Sequence, residues 1–538
     1  MSNKNLIPTK YISEYNKAIN YQNNGDFTKA IKIYKLLQTK VPDSFDINFY
    51  LATCLFAIND FLESSKLFHK LHSLYPDNKI VIKRCAIAYI NINNHLIAHE
   101  FLKRLVTVDP DDIEAWINIT STSGSLEKYE DAIYYATQAL SLNPKDARLY
   151  NNLGAALLSY HKYEDALICF ETALVLLPNN FNASFNIGSL LDRMCKFEES
   201  VEHFEKVLSI ATPGSNDEIK TKYCMSFPLL ATGHLARGWD YYELGFLLPN
   251  NVGRLPTRTF TKPKWTGQKL HNEKLLIWRE QGIGDEVWFF SLVNCCLELC
   301  ENIIIECSQR LLPLLSRAFP AITVRCESSV IDYDYHIAAG SLCQIFRGSL
   351  SSFNYSSPYL SSDTNISSIF EKKLSVFKKD LLVGITWRSG SLSTERNIHY
   401  TSLSDWQPIL SIPGIKFVNL QYGDCANELS NVKNIFGIDI LNFEDIDLKN
   451  DLESLAAIIQ NLDLVISVSS FNAAFTQALG TKLFLINHKN WTMLGKNNWP
   501  WYENVVLFCP ENINTPLYST FAQLRNNLEV EVAKKAPG

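Results

Sequence analysis

Two patterns of apolar and polar positions divide the chain. Up to about residue 258 the apolar residues follow a helical pattern. From Leu270 onward, short β-rich runs alternate with amphipathic stretches such as Leu403–Leu410 and Leu452–Leu462. The predicted strands are Lys274–Trp278, Ile303–Glu306, Leu381–Trp387, Lys416–Leu420, Leu464–Val468 and Lys482–Ile486. Strands that alternate with helices predict parallel sheets with helices on both faces. The polar stretch Ser351–Ser368 is interpreted as a linker or a surface loop between two lobes.

The helical half has a period of 34 residues. Proline recurs at this spacing, at Pro42, Pro76, Pro110, Pro144 and Pro178. Small residues precede these positions by 24 and by 12 residues, as Ala18 and Ala30 precede Pro42. This pattern resembles the tetratricopeptide repeat. Small side chains let the two helices of a repeat cross closely, and proline ends the second helix. We predict six repeats over residues 11–214, and capping helices with a linker over residues 215–258.

One position of the repeat suggests how the array could bind a partner. Such arrays form a concave groove that commonly binds peptides, and the sixth position of a repeat usually faces it. Asparagine occupies that position in four repeats, at Asn16, Asn118, Asn152 and Asn186. A carboxamide both donates and accepts, so a ladder of them could hold an extended acceptor chain. The ladder resembles that of the O-GlcNAc transferase. The alternative is that asparagine is simply common at this position.

The first loop with candidate chemistry follows Lys274–Trp278 and reads EQGIGD. Gly282 and Gly284 allow the backbone to approach a ligand, and the following helix offers free N–H groups. The spacing fails the GxGxxG fingerprint, which argues against a dinucleotide-binding oxidoreductase. Asp285 has two interpretations: a residue that complements the helix dipole, or a general base in a cleft.

Two further loops follow predicted strands. Arg388, Ser389 and Gly390, with His399 nearby, form a natural anion site, or else a surface loop with unrelated charges. Ser469, Ser470 and Asn472 open a helix, where they are caps, a phosphate cradle, or both. The aromatic segment Asn490–Tyr502 is either core or the border of a sugar or base site.

Composition narrows the class of protein. The 538-residue chain is 46% hydrophobic and 20% charged, and its net charge of −6 argues against a nucleic-acid binder. The N-terminal MSNKNLIPTK lacks an apolar signal core, and no apolar run is long enough for a membrane span. We therefore expect a cytoplasmic protein. The thirteen cysteines lack metal-site spacing. Two DxD triplets, Asp332–Asp334 and Asp445–Asp447, do not clearly follow strands, so no metal is expected.

Several long motifs occur in one order along the chain: EQGIGDEVWFF, GITWRSG, the ERNIHY–DW stretch, FVNLQYGD and DLVISVSSFNAAFTQALG. Together they resemble bacterial tetratricopeptide-repeat proteins fused to a heptosyltransferase-like glycosyltransferase domain of the GT-B fold. The resemblance implies two Rossmann-like lobes within residues 259–538, at about 265–375 and 380–530. Some relatives of this architecture glycosylate flagellin, which their repeats hold, with donors thought to be CMP-activated nonulosonic acids.

The resemblance also implies roles for residues. Asp285 matches the proposed base of heptosyltransferases. The donor-binding residues would be Gly282, Gly284, Arg388, Ser389, Gly390, His399, Gln421, Tyr422, Ser469, Ser470 and Asn472. The family normally has an aspartate–threonine pair and a histidine or acidic residue where this chain has Ser469, Ser470 and Ala474. We predict an inverting, metal-independent protein O-glycosyltransferase with a nucleotide-sugar co-substrate and no other cofactor. The alternative is a non-catalytic adaptor with a degenerate transferase domain.

Overall fold

The computed structural model describes residues 7–249, 252–353, 357–390 and 397–535. The chain divides into two compact units, Met1–Asn186 and Ile187–Gly538. The boundary falls inside the eleventh helix, which is the first helix of the sixth predicted repeat.

The N-terminal part is a helical solenoid. Its helices come in pairs whose starts recur at the predicted period, and each pair ends just before the expected proline position. They are α1 (Ile12–Asn23), α2 (Phe27–Lys40), α3 (Phe45–Ala57), α4 (Phe61–Leu74), α5 (Lys79–Asn91), α6 (His95–Val108), α7 (Ile113–Ser125), α8 (Tyr129–Leu142), α9 (Ala147–Ser159), α10 (Tyr163–Leu176), α11 (Phe181–Arg193) and α12 (Phe197–Ile210). The prediction of a repeated helix pair is confirmed.

Local chemistry explains where these helices start and how closely they cross. The side chains of Asp26 and Ser44 accept hydrogen bonds from N–H groups in the first turns of α2 and α3, as N-cap residues do. At the crossing of α3 and α4, the buried Ser64 hydroxyl donates to the carbonyl of Ala52 over 2.8 Å. At the crossing of α9 and α10, a Cβ at Gly154 would lie 2.6 Å from the ring of Phe170. The close approach of these two helices therefore depends on glycine.

The second unit adds helices before its sheets. They are α13 (Asn216–Ala231) and α14 (Leu235–Glu243), followed by the 3-10 turn Leu244–Leu247. Both helices contribute buried aromatic residues, among them Tyr223 and Trp239, to the core that also contains the first sheet.

The first sheet has four parallel strands in the order β3-β2-β1-β4. These are β1 (Leu270–Trp278), β2 (Cys300–Glu306), β3 (Thr323–Arg325) and β4 (Tyr335–Ala338). The helices that follow or connect them are α15 (Ile283–Phe290), α16 (Val293–Cys296), α17 (Leu312–Ala318), α18 (Leu342–Phe346) and α19 (Thr364–Leu374). The strand order reverses between β1 and β4, which is the switch point of this sheet.

The second sheet has five parallel strands in the order β6-β5-β7-β8-β9. These are β5 (Leu381–Thr386), β6 (Ile415–Asn419), β7 (Leu464–Val468), β8 (Lys482–Ile486) and β9 (Val505–Phe508). Its helices are α20 (Gln407–Leu410), α21 (Ala426–Phe436), α22 (Leu452–Gln460), α23 (Phe471–Leu479) and α24 (Phe521–Lys535). The order reverses between β5 and β7. The prediction of parallel sheets is confirmed.

The structure differs from the sequence expectations in three places. The strands β3, β4 and β9 were not predicted, and each has only three or four residues. The predicted linker Ser351–Ser368 is part helix, because α19 begins at Thr364 with Asp363 as its N-cap. The expected helix Leu403–Leu410 is a 3-10 turn, Leu403–Trp406, followed by α20.

Candidate functional site

A cavity of about 560 Å³ opens at the carboxyl ends of β1, β5, β7 and β8. Both sheets therefore contribute loops from their switch points, which is where ligands bind in doubly wound folds. The cavity is lined by Gly282, Ile283, Gly284, Asp285, Trp288, Ser389, His399, Tyr400, Tyr422, Ser469, Ser470, Phe471, Ala473, Ala474, Gln477, Leu485, Asn487, Asn490, Trp491, Thr492 and Trp499. Among these lining residues, Asp285 is the only carboxylate and there is no lysine or arginine.

The glycine loop after β1 brings Asp285 to the cavity. Gly282 is the N-cap of α15, and its N–H donates to Asp285 Oδ2 over 3.0 Å. This hydrogen bond fixes the carboxylate over the first turn of the helix. A Cβ at Gly284 would lie 3.6 Å from the Cα of Phe471, so the first turns of α15 and α23 come close together here. The carboxylate and two helix N-termini thus meet at one cavity.

A buried ion pair anchors Glu280, the first residue of the glycine loop. Arg254 and Glu280 are both 0% exposed, and Arg254 Nε donates to Glu280 Oε2 over 2.6 Å. A second guanidinium nitrogen bonds the other oxygen of Glu280, which also accepts from the N–H of Gly340 over 2.7 Å. Arg254 further donates to Glu243 over 2.6 Å. Burial alone would lower the pKa of the Arg254 guanidinium, but Glu280 and Glu243 raise it above its ordinary value.

Two serines reach the cavity from the loop after β7. Ser469 and Ser470 line it, and Ser470 is the N-cap of α23 but makes no side-chain hydrogen bond to the helix. The Ser470 hydroxyl instead lies 3.1 Å from that of Ser467. Asn472 is fully buried, and its Nδ2 donates to Thr386 Oγ1 over 3.0 Å and to the Leu420 carbonyl over 2.7 Å. Asn472 thus ties the start of α23 to β5 and the end of β6 and does not line the cavity.

Arg388 has a different position from the one expected for an anion site. Its guanidinium donates to Glu428 Oε2 over 2.6 Å and to the Asp424 carbonyl over 2.7 Å, and it is absent from the cavity lining. The hydrogen bonds to Glu428 raise the pKa of Arg388. These acceptors already use much of its fork of N–H donors. The anion site at Arg388 stays a prediction.

Gln421, which is buried, and Gly390, which is exposed, also do not line the cavity. The Oε1 of the buried Gln421 accepts from the N–H groups of Trp387 and Arg388, over 3.3 and 3.1 Å. A Cβ at Gly390 would lie 2.5 Å from the ring of Tyr422, so glycine permits close packing there. These two residues shape the loop after β5.

Eight predicted residues do line the cavity together: Gly282, Gly284, Asp285, Ser389, His399, Tyr422, Ser469 and Ser470. The hydroxyls of Ser389 and Tyr422 lie 3.3 Å apart. The His399 ring packs edge-on against His488 at 5.5 Å between centroids. Residues 391–396, including the start of the ERNIHY motif, lie outside the described part of the chain.

One side of the cavity is formed by three tryptophans, which we call the tryptophan wall: Trp288 of α15, and Trp491 and Trp499 of the segment after β8. The Trp288 and Trp499 rings stack with 5.5 Å between centroids and 15° between planes, and Trp491 lies 6.0 Å from Trp288. Trp491 also contacts Phe227 of α13 and Trp239 of α14. The aromatic segment was singled out from the sequence, but Trp288 was not, because nothing in its local pattern distinguishes it from a core residue.

The asparagines of the predicted ladder lie on the first helices of their repeats. Asn16 is exposed, and Asn118, Asn152 and Asn186 are partly exposed. The Nδ2 of Asn186 donates to Asn151 Oδ1 over 3.0 Å, so this amide bonds to the neighbouring repeat. Their role in binding an acceptor stays a prediction.

The acidic triplets lie away from the cavity. Asp332 pairs with Arg325 over 2.8 Å, and Asp334 accepts from the N–H of Lys274 over 2.9 Å at the start of the β1–β4 pairing. Asp445 is 3.6 Å from Lys373. Across the described residues, no three histidine, cysteine or acidic side chains gather as a metal site would require. Within the same residues, every helix is too short or too polar to cross a membrane.

Models of the tetratricopeptide repeat match residues 13–44, 147–180 and 181–212. The N-terminal half contains tetratricopeptide repeats. Solved structures show a limited similarity to this chain. A tetratricopeptide repeat protein from Parabacteroides merdae is 17% identical with a TM-score of 0.39, over 43% of this chain and 91% of that one. MamA from Desulfovibrio magneticus is 17% identical with a TM-score of 0.29, over 31% and 93%. Scores this low do not establish a common fold.

One curated relative is similar over a longer stretch. Protein FlbA of Caulobacter vibrioides is 30% identical over 324 residues, which cover 56% of this chain and 54% of FlbA. The chain thus spans about half the length of this relative. Because 56% of the chain exceeds the predicted repeats at residues 11–214, the similarity includes residues outside them.

Proposed function

We propose that this protein is an O-glycosyltransferase that transfers a sugar from a nucleotide-sugar donor to a serine or threonine of an acceptor protein. The observation that carries the proposal is the meeting of Asp285 with two helix N-termini in a cavity at the switch points of two doubly wound sheets. Two such sheets with the ligand site at their carboxyl ends are also what the GT-B fold, implied by the sequence motifs, requires.

The geometry supports a direct displacement. The acceptor hydroxyl oxygen attacks the anomeric carbon, a new C–O bond forms, and the bond from that carbon to the donor phosphate breaks. Asp285 takes the hydroxyl proton as general base. The electron pair of the broken bond stays on the phosphate oxygen, whose charge would be stabilised by the first N–H groups of α23 and by the hydroxyls of Ser469 and Ser470. A displacement of this kind inverts the anomeric configuration and needs no metal.

The donor and acceptor classes follow from the sequence resemblance. The donor would be a CMP-activated nonulosonic acid, and the tetratricopeptide repeats would hold an acceptor such as flagellin. Asn16, Asn118, Asn152 and Asn186 are the residues proposed to contact its backbone.

Thermal melting with CMP, UDP, GDP and ADP, one at a time, tests the donor site. A ligand of the native state adds about 2.7 kcal/mol at one hundred times its Kd. We expect one nucleotide to raise the Tm by several degrees, and CMP would identify the nonulosonic-acid donor class. Absence of a shift with all four would contradict the proposal.

Ser470→Asp makes this test specific for the phosphate position. Aspartate is as good an N-cap as serine, so α23 should remain stable, but its charge would repel a phosphate at the helix N-terminus. We expect the nucleotide shift to disappear. The control is Ser215→Asp at the N-cap of α13, which should leave the shift unchanged.

Asp285→Asn tests the base. It keeps an oxygen that can accept from the Gly282 N–H, so folding and nucleotide binding should persist while transfer falls by about 10²-fold or more. Undiminished transfer by the purified variant would remove Asp285 from the mechanism.

A second candidate function is a non-catalytic adaptor. The pairing of Arg388 with Glu428 favours it, because the cavity lining then contains no cation among the described residues. The tetratricopeptide repeats are consistent with protein binding in either case. An adaptor would show no nucleotide-dependent shift in Tm and no loss of partner binding in Asp285→Asn.

A further inference from the structure

The tryptophan wall gives the cavity a large apolar surface beside polar groups. Trp288 and Trp491 are only partly buried, and serine, asparagine and threonine side chains are among the other residues that line the cavity. A ligand that fits this surface needs an apolar face and polar edges. Aromatic rings with a polar tip are well suited to such amphipathic ligands.

Two residues that line this cavity each have a buried donor with no acceptor among the described residues. Asn487 is 2% exposed, and its Nδ2 has no hydrogen-bond partner among the described residues. The Nε1 of Trp288 is likewise buried and without a partner. By contrast, Trp499 Nε1 donates to Gln477 Oε1 over 3.0 Å. Buried donors are almost always satisfied, so these two are candidates for hydrogen bonds to a ligand.

The wall lies next to the proposed base. Asp285 and Trp288 are three residues apart on α15, so their side chains are neighbours on the helix surface, and both line the cavity. A ring packed on Trp288 is therefore beside the carboxylate that would take the acceptor proton. A nucleobase in a sugar nucleotide is separated from the reacting carbon by its ribose and phosphates, so it does not fit this position.

We propose that the tryptophan wall is the subsite for the pyranose ring of the transferred sugar. The C–H face of the ring packs on Trp288 and Trp491, and its hydroxyl or ring oxygens accept from Asn487 Nδ2 and Trp288 Nε1. This inference rests on the proposed function for the statement that the sugar is transferred, but not for the statement that a pyranose binds.

Saturation-transfer difference NMR on the full chain, without nucleotide, tests the subsite. The probes are methyl β-D-glucopyranoside, which is neutral, and the methyl glycoside of N-acetylneuraminic acid, which carries a carboxylate. We expect at least one to bind, with the strongest transfer to ring C–H protons on one face. Which probe binds distinguishes a neutral sugar from a nonulosonic acid, and binding of neither overturns the inference.

Asn487→Leu is the decisive variant. Because the amide nitrogen it removes has no partner in the described part of the chain, an apolar side chain of similar size should leave the Tm unchanged or raise it. Affinity for the bound probe should fall about three- to tenfold. Trp491→Phe keeps the packing on α13 and α14 better than alanine would, and should give a similar loss through the smaller stacking surface. The matched control is Trp116→Phe in α7, with affinity unchanged.

The two proposals can fail separately. Nucleotide binding together with an affinity that Asn487→Leu and Trp491→Phe leave unchanged would overturn the tryptophan subsite and keep the transferase. Pyranoside binding that both variants weaken, with no nucleotide shift, would support the subsite and overturn the transferase.

Discussion

Removal of the buried arginine behind the glycine loop should destabilise the second unit strongly. In Arg254→Met the Glu280 carboxylate, 0% exposed, would lose both guanidinium hydrogen bonds and keep the Gly340 N–H. Breaking one partner of a buried pair usually costs about 3–5 kcal/mol, because the remaining charge is left uncompensated. Lys264 still pairs with Glu243, so the loss should centre on Glu280.

Tryptophan fluorescence during urea unfolding measures this loss selectively, because nine of the ten tryptophans lie after residue 186. We expect Arg254→Met to lower the free energy of unfolding by about 3–5 kcal/mol. The double variant Arg254→Met/Glu280→Leu should recover at least about 2 kcal/mol, since it removes the unpaired charge. The control Arg525→Ala breaks an exposed pair with Glu529 and should cost less than about 1 kcal/mol. A single-variant loss below that of the control, or a double variant less stable than the single, would refute the reasoning.

Three further predictions concern stability. Burial, assisted by Lys264 and Arg258, lowers the pKa of His336 to about 4, so between about pH 6.5 and 4 the unfolded chain binds a proton that the folded chain does not. The free energy of unfolding of the second unit should therefore fall by about 1–2 kcal/mol from pH 7 to 5 through this group. Urea titrations at several pH values measure how the free energy of unfolding changes with pH, and His336→Gln should make that change smaller. An unchanged pH dependence would contradict the assignment. Gly340→Ala should lower the free energy of unfolding by about 1–3 kcal/mol, and with it the Tm, because the added Cβ would overlap Glu280 and lie 2.9 Å from Phe289. The control Gly348→Ala, whose Cβ would have no described atom within contact distance, should be neutral. Ser64→Ala removes the buried hydrogen bond to Ala52 and should lower the free energy of unfolding, followed by far-UV circular dichroism, by about 0.5–1.5 kcal/mol. The control Ser73→Ala removes an exposed hydrogen bond and should cost less. Equal losses would show that burial is irrelevant.

The sequence allowed the solenoid to be predicted well because its signal is repeated. Each repeat contributes two small residues in one register, and five of the six add a proline, so the repeats support one another where a single one would be ambiguous. Strands β7 and β8 were predicted with their bounds, since continuous apolar runs mark strands buried on both faces. The edge strands β3 and β9 were missed, because they have only three and four residues.

The candidate site was predictable only in part. Loops after strands could be chosen by their position, and this placed Asp285, Ser469 and Ser470 at the cavity. Whether a side chain in such a loop faces the cavity depends on partners distant in sequence. Arg388 pairs with Glu428, forty residues later, and Asn487 lines the same cavity as a tryptophan about two hundred residues earlier. No spacing rule connects such pairs.

The contact of Trp491 with Phe227 and Trp239 bears on how the protein can be divided and recombined. The segment after β8 that forms part of the cavity is braced by α13 and α14, which precede the first strand by more than twenty residues. A fragment that starts at β1 would leave this indole without its support. The two sheets therefore cannot be transferred to another protein without α13 and α14. In a chimera that exchanges the repeats between relatives, α13 and α14 have to come from the same protein as the sheets.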